Sequence, residues 1–277
     1  MPIKPTFKQG YRRTRQNNLG FTLIEMIAVM VILSIVGALG SRFLIISIDS
    51  YNTIQQRSKL IAKAQIAIEQ MTRQLRQSVP NAVRVSGSGN CIEFLPALIG
   101  VRYLNSLPDE SNGAPLVSSI TTASFSLPSG SADHVLVAPM ITTEVYTVIG
   151  DRSRASAGVF GAGPVYTAIP LAANHRFLRN SLVNRVVIAE DPKRFCLSGG
   201  NLLRYNGYGL LSSALTDTAP VGGIPAIMGR NVSTSSAAFS LSGNSVNRNA
   251  VVNISLNFTE GSQTVTLNQQ VFVRNVP

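Results

Sequence analysis

Across Gly20–Gly40, read GFTLIEMIAVMVILSIVGALG, Glu25 is the only charged side chain. A carboxylate near the head of an apolar segment is costly to desolvate, so it calls for a dedicated partner or role. An acid that merely snorkels out of a plain signal anchor is the alternative, but it leaves the hexapeptide around Glu25 unexplained. The chain has two cysteines, Cys91 and Cys196, which can form one disulfide.

Other reactive side chains fall into no catalytic pattern. His134 and His175 are the two histidines, and neither has a Cys/His cluster at metal-ligand spacing, so structural roles are expected and no metal or cofactor. Asp109-Glu110 and Glu190-Asp191 are adjacent acids, a spacing that does not make an acid/base pair, and they read as solvated loop charges. No G-x-S-x-G, Walker or dinucleotide-binding pattern occurs, and no D-x-D-x-D-G calcium loop. Gly207-Tyr208-Gly209 reads as a turn carrying an aromatic. Arg152, Arg154, Arg176, Arg179 and Arg185 lie in one region, but aromatics do not alternate with them as a base-stacking platform requires, which argues against nucleic acid. The expectation is a protein that is not an enzyme.

The elements around these residues follow from where charge and apolarity sit. The net charge is +11, yet much of the excess is N-terminal: residues 1–20 hold Lys4, Lys8, Arg12, Arg13 and Arg15 without an acid, whereas residues 80–277 hold thirteen basic side chains against ten acidic ones. At about 1.5 Å per residue, Gly20–Gly40 spans about 30 Å, the thickness of a bilayer core. A positive block before such a run places the N-terminus in the cytoplasm and the rest across the membrane. Both cysteines then lie where disulfides persist, and we expect them to pair. The bond would close a loop of about 100 residues, worth up to about 4.7 kcal/mol in the chain-entropy account. Two unrelated buried thiols are the alternative. A secretory signal cleaved after Ala38-Leu39-Gly40 is conceivable, but the apolar run has full spanning length and continues into helix-compatible sequence with no proline before Pro80.

Gly20-Phe21-Thr22-Leu23-Ile24-Glu25 resembles the bacterial type IV prepilin signature, shared by major pilins, minor pilins and the pseudopilins of type II secretion. The resemblance is specific over Leu19 to about Leu39 and diffuse beyond. It implies cleavage after Gly20 by a prepilin peptidase, N-methylation of Phe21, and Glu25 as the fifth mature residue. Gly20 has no side chain to obstruct a narrow protease cleft. The new amine of Phe21 and the carboxylate of Glu25 are each costly alone in a low-dielectric layer and attract strongly when paired. If the amine belongs to a neighbouring subunit, Glu25 favours correct axial register. The implied partners are the peptidase, the inner membrane before assembly, an inner-membrane assembly platform, and other minor and major pilins. The implied destination is a pilus at the cell surface. Ser34, Gly37 and Gly40 permit close helix approach and also lower helix propensity.

Past Arg42, Leu44, Ile48, Tyr51, Ile54, Ile61, Ala64, Ile68, Met71, Leu75 and Val79 recur at helical spacing, broken only at Ser58. One helix of up to about 58 residues, closed by Pro80, is expected, its stripe buried on a sheet of the same chain. After Pro80, strand signals take over: Cys91–Leu95, His134–Ala138, Glu144–Ile149, Arg185–Ala189 and Arg194–Leu197, the last turning into Leu202–Tyr205. A final hairpin alternates through Val252–Phe258 and Val265–Val273. Residues 105–115, 127–132, 151–164 and 212–224 read as loops. The fold class is α+β and pilin-like, a long N-terminal helix on an enlarged antiparallel β body. Its segments are a cleaved leader (1–20), a membrane-spanning helix (21–41), an amphipathic continuation (42–79) and a β-rich periplasmic head (80–277). Asp191-Pro192, Phe195-Cys196, Leu203-Arg204-Tyr205 and the ending Val271–Pro277 resemble the larger minor pilins and the J-type pseudopilins. The nearest likeness is to MshO-type biogenesis pilins of the mannose-sensitive haemagglutinin pilus. These resemblances imply a minor pilin that primes or caps a filament, with a secretion pseudopilin as the alternative and a signal-anchored adhesin or enzyme as a third reading.

Overall fold

The structure is a computed structural model that describes residues 20–147, 153–211, 213–243 and 250–273. Helix α1 runs over Leu23–Arg76. The chain divides into two compact units, Met1–Ile54 and Gln55–Pro277. In the first unit, every described residue is exposed, and α1 is long and apolar enough to cross a membrane. Leu44, Ile48, Tyr51 and Ile54, expected to begin the buried stripe, are therefore exposed. Burial begins at Leu60, past the break at Ser58.

In the second unit, Leu60, Ala64, Ala67, Ile68, Met71 and Leu75 form one face of α1 at spacings of three and four, and all are buried. Each large apolar side chain on this face stabilises the fold by about 1.5–3 kcal/mol. The helix stops at Arg76, short of the expected Val79, because residues 77–79 turn to bond elsewhere. Ala97 N–H donates to the Gln77 carbonyl at 2.8 Å and Val79 N–H to the Leu95 carbonyl at 2.8 Å. Those tertiary bonds replace the next helical turn.

The strands that follow are β1 (Arg84–Val85), β2 (Cys91–Phe94), β3 (Ala97–Arg102), β4 (Val117–Phe125), β5 (His134–Leu136), β6 (Arg154–Ser156), β7 (Tyr166–His175) and β8 (Arg185–Ala189). After them come β9 (Lys193–Ser198), β10 (Asn201–Asn206), β11 (Ile224–Arg230), β12 (Val232–Ser233), β13 (Phe239–Ser242), β14 (Ala250–Glu260) and β15 (Gln263–Val273). All of their ladders are antiparallel. The first sheet has the order β1-β2-β9-β10-β11, and in the second β14 pairs with β12, β13 and β15. Ile92, Phe94, Phe195 and Leu202 of the first sheet join Val252, Leu256, Phe258 and Val271 of the second in one core with the α1 stripe. The alternation expected for the last hairpin is seen directly: Ala250, Val252, Ile254, Leu256 and Phe258 are buried and the residues between them only partly so.

β2 and β9 are neighbours, pairing Cys91 with Cys196 and Phe94 with Lys193. The strands between them in sequence form a second β layer, with the sheet β3-β8-β5-β6 and the pair β4-β7 closing over their own core of Val101, Ile120, Val135, Ile169, Phe177 and Ile188. The enlargement of the body is thus an insertion between two paired strands.

Several expected elements differ. Residues 142–146 form a short helix, α2 (Thr142–Tyr146), where a strand over 144–149 was expected; 148–149 lie outside the described residues. Val145 and Tyr146 are consecutive and both buried in the same core, which a strand would prevent by sending them to opposite faces. Glu144 also accepts the Met140 N–H at 2.9 Å, occupying a donor ahead of the helix. β6 lies inside the expected loop 151–164. β3, β4, β7 and β11 were not expected: β4 is Ser/Thr-rich, and β7 and β11 contain Pro170 and Pro225, tolerated because β7 belongs to a two-stranded pair and β11 ends its sheet.

Candidate functional site

The helix begins at Leu23, so Gly20 and Phe21 precede it, exposed and outside its hydrogen-bond ladder. Thr22 closes the helix start. Its carbonyl accepts the N–H of Glu25 at 3.1 Å and of Met26 at 3.2 Å, and its hydroxyl accepts the Glu25 N–H at 3.4 Å. Thr22-Leu23-Ile24-Glu25 is therefore a T-x-x-E start, with the acid in the first turn, where the helix macrodipole favours a negative charge. The sequence carries this helix-start signal alongside the cleavage, methylation and register roles expected of the same hexapeptide. Among the described residues, nothing beyond its chain neighbours lies within 4 Å of where a Gly20 side chain would stand.

Along the apolar segment, Ser34, Ser41 and Ser47 return their hydroxyls to the carbonyls of Met30, Ala38 and Phe43 at 2.7–2.9 Å. Polar groups satisfied within the helix cost little in a bilayer. Residues 15–41 match the family model described as the prokaryotic N-terminal methylation motif.

The segment carries a prepilin-type methylation motif.

This motif supports a type IV pilin-like protein, processed by a prepilin peptidase and assembled through pilin-type contacts, and the apolar helix fits anchoring in the inner membrane. The match spans the motif and ends well before the body. No curated protein matches the chain, and no solved structure does. Of the expected leader, residues 1–20, only Gly20 falls within the described residues.

The body places the other candidates apart from one another. Cys91 and Cys196 form a disulfide between directly opposed residues. On the same face, one pair along, Arg84, Glu93 and Arg194 stand in a row across β1, β2 and β9. Glu93 is fully buried; it accepts from Arg84 Nε at 2.5 Å, from Arg194 Nη2 at 2.9 Å and from the Tyr208 hydroxyl at 2.9 Å. Tyr208 is thus more than a turn aromatic: Gly207 and Gly209 take φ of 73° and 68°, which lets the backbone turn on both sides of it. The two arginines also donate to the carbonyls of Leu211, Ser213 and Thr218, holding Tyr208, Leu211 and Leu215 against the disulfide. Burial raises the Tyr208 hydroxyl's pKa, and the neighbouring Glu93 carboxylate raises it further.

Asp109 is buried, contrary to a solvated loop charge. It accepts from Ser111, Asn112 and Asn180, and the Ser111 and Asn180 hydrogen bonds lower its carboxyl to about 2. Asp191 pairs with His134 Nε2 at 2.9 Å, and Glu190 accepts from Lys193 at 2.5 Å, so these acids too are engaged. Burial lowers the His134 pKa and the nearby Arg154 charge lowers it further, outweighing the Asp191 and Asp133 carboxylates. His175 packs edge-on against Phe177, with ring centres 4.6 Å apart. The arginines are dispersed. Arg154 donates to the Val145 and Thr147 carbonyls, Arg176 to Ala114, and Arg179 to both oxygens of Glu144, while Arg152 lies outside the described residues. Burial disfavours ionised Glu144, but the bonds from Arg179 and Met140 outweigh it and its pKa falls.

Proposed function

We propose that the protein is a minor pilin that takes part in assembling a type IV pilus of the mannose-sensitive haemagglutinin type, priming or capping the filament rather than catalysing a reaction. The observation that carries this reading is the methylation motif running directly into a membrane-length helix, with Gly20–Phe21 outside the helix and Glu25 in its first turn. In this reading the prepilin peptidase cuts between Gly20 and Phe21 and Phe21 is methylated. Its amine, or that of a neighbouring subunit, pairs with the Glu25 carboxylate in the membrane layer, where an unpaired charge is most costly. A body enlarged by a whole inserted β layer suits a low-copy subunit better than a repeating one, since each copy of a major subunit must pack against its neighbours.

Deletion of the gene, followed by electron microscopy of surface filaments and an assay of secreted proteins, tests the proposal. Loss of pili with secretion intact supports it. Loss of secretion with pili intact assigns the protein to a type II secretion pseudopilus. Envelope protein that begins at Met1, or after Gly40, removes the prepilin reading altogether.

A further inference from the structure

The exposed face of the inserted sheet is basic in an unusual way. Arg102 and Arg185 stand directly opposite each other on β3 and β8, an arrangement of like charges that destabilises a sheet unless something compensates it. Among the described residues, no acidic side chain lies within ion-pair distance of either one. Arg185 instead leans along the sheet over Gly100: a Cβ there would stand 2.5 Å from Arg185 Nε and 2.6 Å from Nη2. Glycine at position 100 is what gives the guanidinium its place.

Arg185 lines a cleft of about 520 Å³ together with Arg76 at the end of α1, Gln77 just past it, and Lys193. Arg76, Arg185 and Lys193 face one acid, Glu190, which is already held by Lys193.

We propose that this cleft binds an acidic stretch of a partner polypeptide. The excess of cations calls for carboxylates, and the volume admits a few residues. No aromatic side chain lines the cleft to stack a nucleic-acid base. The site lies within the second unit and does not rest on how the apolar first part of the helix is used.

The test uses the full chain in a non-ionic detergent and a fluorescent, end-blocked hexaglutamate peptide, with inorganic triphosphate as a polyanion that lacks N–H donors. The peptide is expected to bind, and to bind more weakly as salt rises. Arg185→Glu should weaken it by on the order of tenfold, through charge reversal. Gly100→Val should weaken it comparably by displacing Arg185. Arg185 is exposed, so Arg185→Glu should keep its circular dichroism and melting temperature; if it does not, Arg185→Ala takes its place. Absence of peptide binding at millimolar concentration overturns the proposal, as does binding indifferent to the Arg185 variants. Triphosphate that competes as tightly as the peptide makes the cleft a general anion site and overturns the peptide assignment.

Discussion

Arg194 stands directly across from Glu93 on the adjacent strand and donates to the same carboxylate oxygen from Nε at 3.2 Å and from Nη2 at 2.9 Å. Arg84 bonds the other oxygen, so a fully buried carboxylate is held between two guanidinium groups. Such a cluster is not itself strong evidence for stability, because desolvating three charges offsets much of their attraction. Its effect is positional: it ties β1, β2 and β9 to the segment that covers the disulfide.

Glu93→Gln is accordingly expected to destabilise the body by about 3–5 kcal/mol, because two buried guanidinium groups lose their counter-charge. Urea unfolding followed by circular dichroism measures it. A triple change, Arg84→Met with Glu93→Leu and Arg194→Met, should recover most of the loss. A Glu93→Gln cost below about 1 kcal/mol would mean that water reaches the cluster.

The disulfide joins residues 105 apart in sequence, and the strands that carry them are already paired. Its contribution should therefore come mainly from restricting the unfolded chain. Replacing both cysteines with Ala should lower stability by about 2–5 kcal/mol while leaving the native fold intact. Thermal melts with and without reductant check this; an unchanged melting temperature would count against it.

Asp109 makes stability depend on acid. An unfolded-chain carboxyl of this type titrates near about 3.9, and in the folded protein Asp109 titrates at about 2. Between those values the unfolded chain takes up a proton that the folded chain does not, so stability falls as pH drops through the window and is fully present above it. Asp109→Asn should flatten this part of the stability–pH profile. A profile as steep as that of the unaltered protein would assign the acid limb to other carboxylates.

Glu25→Ala removes the one charge in the apolar segment, and with it the proposed pairing to a methylated amine. Peptidase cleavage should continue, since Gly20–Phe21 lies outside the helix, while incorporation into filaments falls at least tenfold by immunoblotting of sheared pili. Undiminished incorporation would refute the register role given to Glu25.

Much of the fold was legible where the signal is local. The alternation in Val252–Phe258 could be read directly because a strand's period is contained within a few residues. The apolar segment and its leading acid were legible for the same reason. The 144–149 segment misled because its β-branched residues favour a strand, whereas consecutive burial of Val145 and Tyr146 against one core required a helix. The buried stripe on α1 was read correctly in kind but began too early, since periodicity marks a face without stating where a sheet exists to cover it.

The amino-acid sequence alone determined the N-terminal features: a prepilin-type methylation motif, an acid one turn into a helix, and a length that matches a bilayer, all properties of contiguous residues. Only the tertiary structure decided the chemistry of the body. Glu93 meets partners 9, 101 and 115 residues away, and Arg185 reaches the cleft because a glycine on the neighbouring strand leaves room. Such meetings depend on which strands pair and in which register, quantities that no short window of sequence contains.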